Sequence, residues 1–229
     1  MRKSLSAVVA TAALALTVSA CGSNSTDKTA NGGSSGAGAS SAPSAQATPA
    51  AALTDLKGKS TAVKLDPMFL AGLTSLKLTP GVTGTAKLTD ASLIFPITGG
   101  TATYYTPGSR TPYVESSIKH EGSGISLTNG KIKVELTNFT VDAGTSMLMG
   151  DVSANGKSVA KQAPIMFLDG RTLKPLDTTS KPGFGILEGT KVSLTKTATD
   201  LLDMTYGTKA LTPFFPVGVA TITLQLPAK

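Results

Sequence analysis

The fold of this chain is predicted most directly by one stretch, Asn129-Gly130-Lys131-Ile132-Lys133-Val134-Glu135-Leu136. In it, apolar Ile132, Val134 and Leu136 alternate with charged residues, which is the period of a strand with one buried and one solvated face. The Asn-Gly pair before them offers the positive φ angles that a two-residue hairpin turn requires. The stretch therefore predicts an antiparallel β-hairpin.

The same signals recur on both sides of this hairpin. Two more turn pairs, Asn155-Gly156 and Asp169-Gly170, each lie between runs of β-forming residues. After Leu136 the alternation changes phase at Asn138 and Phe139, which indicates a β-bulge. Further strands are predicted at residues 61–65, 84–89, 93–97, 101–105, 113–120, 147–154, 165–168, 184–188 and 217–226. About ten short strands separated by turn residues predict an all-β fold, an antiparallel sandwich or flattened barrel.

Two short helices interrupt the strands as parts of a repeated strand-helix-strand unit. The first copy contains Val63-Lys64-Leu65 and Leu78-Thr79-Pro80, and the second contains Val192-Ser193-Leu194 and Leu211-Thr212-Pro213. Asp66-Pro67 opens the first helix with an N-cap residue and a proline at the first helical position. We expect the two units to flank the central strands as pseudo-symmetric ends.

The N-terminus has the layout of an export signal. Two basic residues precede an uncharged apolar run over residues 5–18, which is too short to span a bilayer as a helix. The run ends in Val18-Ser19-Ala20-Cys21, which resembles the bacterial lipobox, where the cysteine thiol receives a diacylglycerol. We predict a lipoprotein signal peptide at residues 1–20 and a lipid anchor, with acyl groups such as palmitate, at Cys21. An ordinary secretory signal beside an unmodified cysteine is the alternative.

The residues after Cys21 have the composition of a tether. Residues 22–52 contain no Val, Ile, Leu, Met, Phe or Tyr, and their only charges are Asp27 and Lys28. Such a segment cannot bury enough apolar surface to offset the entropy of ordering, so we predict a disordered Ser/Ala/Gly/Pro linker over residues 21–52. As a flexible coil it would reach roughly 30 Å. The folded all-β domain is then predicted over residues 53–229.

Composition excludes several function classes. One cysteine and one histidine provide neither a disulfide framework nor a zinc site, and we predict no metal site. Outside the signal no two basic residues are adjacent, so the positive net charge lacks the clustered basic face of a nucleic-acid-binding protein. The scattered charge is better suited to anionic wall polymers or lipid headgroups. Because the predicted folded domain, residues 53–229, contains no Gly-x-Ser-x-Gly or other nucleophile motif, we predict no enzyme activity and no catalytic residue.

A small set of side chains forms the candidate ligand-binding site. His120 lies at the end of a predicted strand, before a glycine-rich segment. Its simplest interpretation is an exposed turn residue, and its alternative is a place in a ligand pocket. Tyr104, Tyr105 and Tyr113 cluster before it and could line a groove or cover the sheet surface. Met147 is expected in the core, although its thioether could contact haem or a soft metal.

The order of several short motifs resembles the haem-transport-associated (Hta-type) domain of actinobacterial surface proteins. A strand and a short apolar helix are followed by Phe95-Pro96 with Gly99-Gly100, then by His120-Glu121-Gly122, and then by a long alternating strand that ends in Leu136-Thr137-Asn138. The likeness covers most of residues 56–224. It implies an Hta-type fold and, as an alternative function, haem binding and haem uptake.

The resemblance also implies positions for the haem ligands. In the family, a tyrosine in a Ser-Phe-x-x-Tyr pattern on the first short helix ligates the iron, and a histidine before x-Gly supports it. In this chain Phe69 occupies the phenylalanine position, Gly72 the tyrosine position and His120 the histidine position. The family's tryptophan has no counterpart, because the chain contains no tryptophan.

These observations lead to one main functional prediction and two alternatives. The chain is expected to be exported and lipid-anchored to the outer face of the cytoplasmic membrane of a bacterium, as a non-catalytic binding or envelope module without a cofactor. Its expected partners are the membrane, through Cys21, and a cell-wall polymer. The first alternative is an Hta-type haem-binding protein, with haem as cofactor and partner; the second is a structural surface module without a ligand.

Overall fold

The computed structural model describes residues 47–56 and 58–227. The strands of this part are β1 (Ala51–Leu53), β2 (Gly58–Leu65), β3 (Thr79–Gly84), β4 (Lys87–Thr89), β5 (Ser92–Pro96), β6 (Gly99–Tyr104), β7 (Val114–Asn129), β8 (Ile132–Asp142), β9 (Met147–Ala154), β10 (Lys157–Asp169), β11 (Phe184–Leu194) and β12 (Pro216–Gln225). Its helices are α1 (Pro67–Ser75), α2 (Lys196–Tyr206) and a 3-10 helix (Gly170–Thr172). The predicted signal peptide, Cys21 and the linker up to residue 46 lie outside the described residues. β1 includes Ala51 and Ala52, which the sequence analysis assigned to the linker.

The strands form one antiparallel sheet in the order β1-β6-β7-β8-β9-β10-β11-β12-β2-β5-β4, and β3 adds to β7. Five strands stand between β7 and β2 in this order, yet His120 of β7 lies within hydrogen-bond distance of Thr61 of β2. The sheet therefore curls on itself into a flattened half-barrel. The predicted all-β antiparallel fold class is confirmed.

The predicted central hairpin is confirmed, but its two-residue turn is Gly130-Lys131, because Asn129 still pairs with Ile132. β7 and β8 pair antiparallel with Leu127 opposite Val134, and Gly130 in the turn has a φ of 52°. The predicted bulge follows at Asn138, which has a φ of 53° and interrupts the register with β9. The turn at Asn155-Gly156 also joins two paired strands, β9 and β10. Local turn chemistry and alternation were sufficient for these features because both act between neighbours in sequence.

Bulges on several strands are tied together by side-chain hydrogen bonds. The amide of Gly122 donates to Asn138 Oδ1 at 3.0 Å, and Asn138 Nδ2 donates to Asp151 Oδ2 at 3.0 Å. The Gln162 amide donates to Asp151 Oδ1 at 3.0 Å. The hydrogen bonds to the Asp151 carboxylate, of which that from Asn138 has the largest effect, lower the pKa of Asp151 to about 2. Because a bulge bends and twists its strand, the linked bulges help to curl the sheet.

The predicted hairpin turn at Asp169-Gly170 is wrong. The Asp169 carboxylate instead caps the 3-10 helix by accepting from the Arg171 amide at 3.2 Å, and a loop then carries the chain to β11. Aspartate competes well for nearby backbone amides, so it starts a helical turn as readily as a hairpin. The 3-10 helix and this loop therefore stand where a tight turn would have joined β10 to β11 directly.

Both predicted helices and both strand-helix-strand units are present. Asp66 caps α1 by accepting from the Met68 amide at 2.8 Å. α2 ends at Gly207, whose φ is 65°. The expected placement of the units at opposite ends is wrong, because β2 of the first unit pairs directly with β12 of the second. Strand β3, which follows α1, pairs with β7 and not with β2, so the two copies differ after their helices.

The hydrophobic core fills the inside of the curl. The largest side chains that are fully buried are those of Phe139, Ile118, Ile165, His120, Val134, Val192, Val217, Thr199 and Ser123. Most belong to the inward-facing positions of β7, β8, β10, β11 and β12, as the two-residue period of strands requires. One of them is the single histidine of the chain, which makes the core the place to look for a site.

Candidate functional site

His120 is buried in β7, and its interpretation as an exposed turn residue is wrong. Only 1% of its surface is exposed. The glycine-rich segment after it does not form a turn: β7 continues to Asn129, and Gly122, with a φ of 68°, forms part of a bulge within the strand. The strand therefore carries His120 into the interior of the half-barrel.

The hydrogen bonds of His120 assign its tautomer. Nδ1 lies 2.9 Å from the carbonyl oxygen of Pro96, which only accepts, so Nδ1 carries the proton. Nε2 lies 3.2 Å from the Thr61 hydroxyl and accepts from it in the neutral ring. Burial lowers the pKa of His120, and hydrogen bonds to backbone carbonyls of β5 oppose this only partly. The imidazole is neutral at pH 7, and both nitrogens have partners.

We expect the free energy of unfolding to decrease as the pH falls below about 6.5, the ordinary pKa of histidine. The unfolded chain then binds a proton that buried His120 resists, so the loss reaches about 1.4 kcal/mol per pH unit. Above pH 6.5 the contribution is fully present. Urea unfolding at pH 5, 6 and 7 measures it. His120→Gln should remove this pH dependence, because the chain has no other histidine; equal stability of the unmodified chain from pH 7 to 5 would contradict the assignment.

Two adjoining apolar cavities occupy the interior of the half-barrel. The inner cavity has a volume of about 50 Å³ and is lined by His120, Thr61, Phe95 and Phe139 among others. The ring of Phe95 meets the rings of Phe139 and His120 edge to face. This space is nearly filled by side chains, so by itself it holds nothing larger than a water or a methyl group.

The outer cavity is larger and opens toward solvent. Its volume is about 400 Å³, and its lining includes Tyr113, Val114, Ser116, Ile118, Leu168 and Arg171. It shares lining residues with the inner cavity, namely Val141, Leu168, Thr190 and Ile222. Volumes of roughly 300 to 1,000 Å³ are typical of small-molecule sites. The outer cavity is therefore the candidate binding site of this protein.

Of the predicted tyrosines, Tyr113 lines the outer cavity and Tyr104 supports it. The Tyr113 hydroxyl donates to the carbonyl oxygen of Leu173 at 2.7 Å, which ties the start of β7 to the loop after the 3-10 helix. Tyr104 meets Tyr113 edge to face and accepts from the Leu176 amide at 3.4 Å. Burial raises the pKa of Tyr113, and Tyr104 adds to this effect. The two tyrosines hold this side of the cavity together.

Tyr105 and Met147 lie elsewhere. Tyr105 is buried, with the Arg110 guanidinium over its ring, and its hydroxyl donates to Glu115 Oε2 at 3.4 Å. Met147 lies in β9 opposite Phe167 of β10. Neither residue is part of the lining of the inner or outer cavity. The structure thus brings Tyr113 and His120 to adjoining cavities, whereas Tyr104, Tyr105 and Met147 do not line either of them.

The geometry around His120 does not resemble a nucleophilic site. Ser123 donates its hydroxyl to the backbone carbonyl of His120 at 3.0 Å and not to the imidazole. The hydroxyl that does meet the ring belongs to Thr61, which is also buried. Nδ1 faces a backbone carbonyl where a catalytic triad has a carboxylate. We found no group of three or more His, Cys, Asp and Glu placed to bind a metal ion in the described residues.

Sequence reasoning missed the charged pair at the mouth of the outer cavity. Arg171 donates from Nε to Asp169 Oδ1 at 2.8 Å and from Nη2 to Oδ2 at 2.9 Å. The Asp169–Arg171 ion pair was not predicted because Asp169-Gly170 matched the pattern of a hairpin turn. The short spacing of aspartate and arginine was its one local signal.

Among the described residues, no helix has the length and apolar character needed to cross a membrane.

These features define a class, an antiparallel half-barrel with an apolar interior cavity. Two solved structures share its fold, both from Corynebacterium glutamicum. The C-terminal domain of HtaA matches with a TM-score of 0.52 and 14% identity over 77% of this chain and 99% of that domain. The heme-binding protein HtaB matches with a TM-score of 0.50 and 12% identity over 76% of this chain and 96% of its own. The resemblance to Hta-type domains is confirmed at the level of the fold.

The comparisons by sequence add nothing to this: no family model matches, and no curated protein is significantly similar. At the position of the family's tyrosine, Gly72 of α1 packs against Phe215. A Cβ atom on Gly72 would lie 2.9 Å from Cζ of that ring. A larger side chain there requires the ring of Phe215 to move, so aromatic packing occupies the place that the motif gives to an iron ligand.

Proposed function

We propose that this protein is an exported bacterial lipoprotein, anchored by a lipid at Cys21 to the outer face of the cytoplasmic membrane, and that its β-domain is a non-catalytic binding module. The observation that carries the binding proposal is the outer cavity of about 400 Å³ in a half-barrel fold. The heme-binding protein HtaB shares this fold, which supports a binding role. The lipobox-like run before the single cysteine supports the anchor.

The arrangement of the polar groups in the described residues supports the non-catalytic part of the proposal. The one histidine is neutral, buried and engaged through both nitrogens. The charged residues that line the outer cavity, Asp169 and Arg171, are bonded to each other and so are not poised as a general acid and base. We propose that the cavity holds a ligand without converting it, and that the tether places the domain within reach of wall polymer.

Lipid attachment is tested by growing a bacterial host that expresses the full chain with radiolabelled palmitate. We expect label in the protein and the protein in the membrane fraction. Cys21→Ser should remove the label and release the protein from the membrane, because the thiol is the acceptor. Label that persists in Cys21→Ser would contradict the anchor.

Haem binding is the second candidate function, favoured by the fold shared with HtaB and by a tyrosine in the cavity lining. For this candidate, haemin titrated into full-length Cys21→Ser protein should give a saturable one-to-one change of the Soret band. Tyr113→Phe should abolish it, whereas Tyr105→Phe, outside the cavity, should not. His120→Ala should weaken it less, since His120 reaches only the inner cavity. The absence of a saturable change would remove haem as the ligand.

A further inference from the structure

We infer that the outer cavity binds one long-chain fatty acid, with the acyl chain inside the half-barrel and the carboxylate at Arg171. This inference rests on the proposed function, because it names the ligand class of the proposed binding module. Three observations carry it: the apolar interior of the cavity, the location of its mouth, and the charge at that mouth.

The deep part of the outer cavity is apolar. Its most buried lining residues are Val114, Ile118, Val141, Leu168 and Leu187, each at most 9% exposed. Hydroxyl groups of serine and threonine lie among them, but no charged side chain lines this part. An environment of this kind favours a hydrocarbon segment and excludes a charged one, because burial of an unpaired charge is costly. The cavity also adjoins the inner one, so its interior has an irregular shape that a flexible chain can follow.

The mouth of the cavity lies between β7 and the 3-10 helix. The exposed lining residues, Thr111, Gly170 and Arg171, are all found there. The Arg171 side chain is 87% exposed, so its guanidinium stands at the solvent boundary. A ligand with its chain inside would place its head group at this boundary.

The charged groups at and beside the mouth are Arg171, Asp169 and Lys191, and the Arg171 guanidinium has hydrogen-bond donors that Asp169 does not use. Two N–H groups of the Arg171 guanidinium bond to Asp169, which leaves three of the five that a guanidinium carries. Lys191 does not line the cavity but lies opposite Asp169 in the β10–β11 register, and its charge adds to the hydrogen bonds from Arg171 in lowering the pKa of the Asp169 carboxyl. Arg171, Lys191 and Asp169 together carry one net positive charge. A single carboxylate balances it and accepts the remaining hydrogen bonds.

A fatty acid fits these features better than a rigid macrocycle does. Haem needs an iron ligand, and the tyrosine in the lining, Tyr113, already donates to the Leu173 carbonyl and has a raised pKa that disfavours the phenolate. A fatty acid leaves that hydrogen bond intact. An uncharged hydrocarbon would fill the interior equally well but would make no use of the positive mouth.

The test is a fluorescence titration of full-length Cys21→Ser protein with cis-parinaric acid, a fatty acid that fluoresces in apolar surroundings. We expect saturable one-to-one binding and displacement by saturated fatty acids. From octanoate upward, affinity should rise about fourfold for each added methylene until the cavity is filled. Palmitate should displace the probe at a lower concentration than the alcohol of the same length. Binding that is independent of chain length, or no binding, would overturn the inference.

Two pairs of variants locate the site. Ser116 lines the cavity, whereas its neighbour Ser117 is exposed on the opposite face of β7. Ser116→Trp should weaken binding at least tenfold and Ser117→Trp less than twofold. Ala143→Leu, which fills less of the cavity, should give an intermediate loss and guards against a folding defect in Ser116→Trp. Equal effects of Ser116→Trp and Ser117→Trp would place the ligand elsewhere and overturn the inference.

The second pair tests the head group. Arg171→Gln should weaken palmitate binding about three- to tenfold and leave the alcohol unchanged. Lys157→Gln, at the exposed first residue of β10 and outside the cavity lining, should affect neither. An unchanged preference for the acid in Arg171→Gln would overturn the assigned orientation. If haemin binds and fatty acids do not, the fatty-acid inference fails and the binding module stands. If neither binds, both fail.

Discussion

Replacing Gly100 by alanine should destabilise the domain by about 3 to 5 kcal/mol, among the largest effects expected of any single methyl group in this chain. Gly100 of β6 has a φ of 125°, a region that residues with a Cβ atom rarely adopt. A Cβ atom there would also lie 1.9 Å from the carbonyl oxygen of Ser117 on β7. Both the backbone angle and the collision require β6 to move away from β7. Urea unfolding at pH 7 measures the loss.

The adjacent residue provides the matched control. Gly99 also belongs to β6, but its φ is not positive and a Cβ atom on it would meet nothing within 4 Å. Gly99→Ala should therefore leave stability unchanged or raise it by up to about 1 kcal/mol, because alanine restricts the unfolded chain. A difference of less than 1 kcal/mol between the two variants would contradict the described pairing of β6 with β7.

Gly99 and Gly100 show which features can be predicted from the sequence and which cannot. Gly99-Gly100 was part of the motif order that resembled the Hta-type domain, and the fold it implied is confirmed. The hairpin at Asn129-Gly130 and the bulge at Asn138 were predictable because turn chemistry and alternation are local. The distinct roles of the two glycines were not predictable, since the atom that excludes a side chain at Gly100 belongs to another strand.

The site was harder to predict for the same reason. The burial of His120 depends on Thr61, 59 residues earlier, and on Pro96, 24 residues earlier. No pattern near His120 reports that the sheet curls far enough to bring these strands together. The hairpin turn predicted at Asp169-Gly170 was wrong for a different reason. Its local signal was ambiguous, and the Asp169 side chain caps a 3-10 helix there. The outer cavity joins residues of five strands and of three connections between strands, and only the curled sheet brings them together.

The second large effect is expected at Phe139, where alanine should cost about 3 to 5 kcal/mol. Its ring is 2% exposed, meets Phe95 edge to face with centroids 5.4 Å apart, and covers Gly150 of the neighbouring strand. Removing it joins a new void to the inner cavity of about 50 Å³. Phe139→Leu keeps more of the volume and should cost roughly 1 to 2 kcal/mol.

A phenylalanine on the surface separates the loss of packing from the loss of an aromatic ring. Phe214 is 65% exposed and meets Phe167 edge to face. Phe214→Ala should therefore cost less than about 1 kcal/mol, because little apolar area returns to water. Urea unfolding of both variants under one condition gives the comparison. Similar losses at Phe139 and Phe214 would mean that the interior of the half-barrel is not packed as described.

Phe139→Ala should also change how stability depends on pH, which links the core to the buried histidine. The ring of Phe139 lines the inner cavity together with His120, whose pKa is lowered mainly because water is excluded. A void beside the imidazole that admits water reduces this desolvation, so the pKa of His120 should rise toward its ordinary value. The decrease in stability below pH 6.5 should then be smaller than in the unmodified chain, even though total stability is lower. An unchanged slope between pH 7 and 5 in Phe139→Ala would show that the void stays dry and that Phe139 stabilises the core by packing alone.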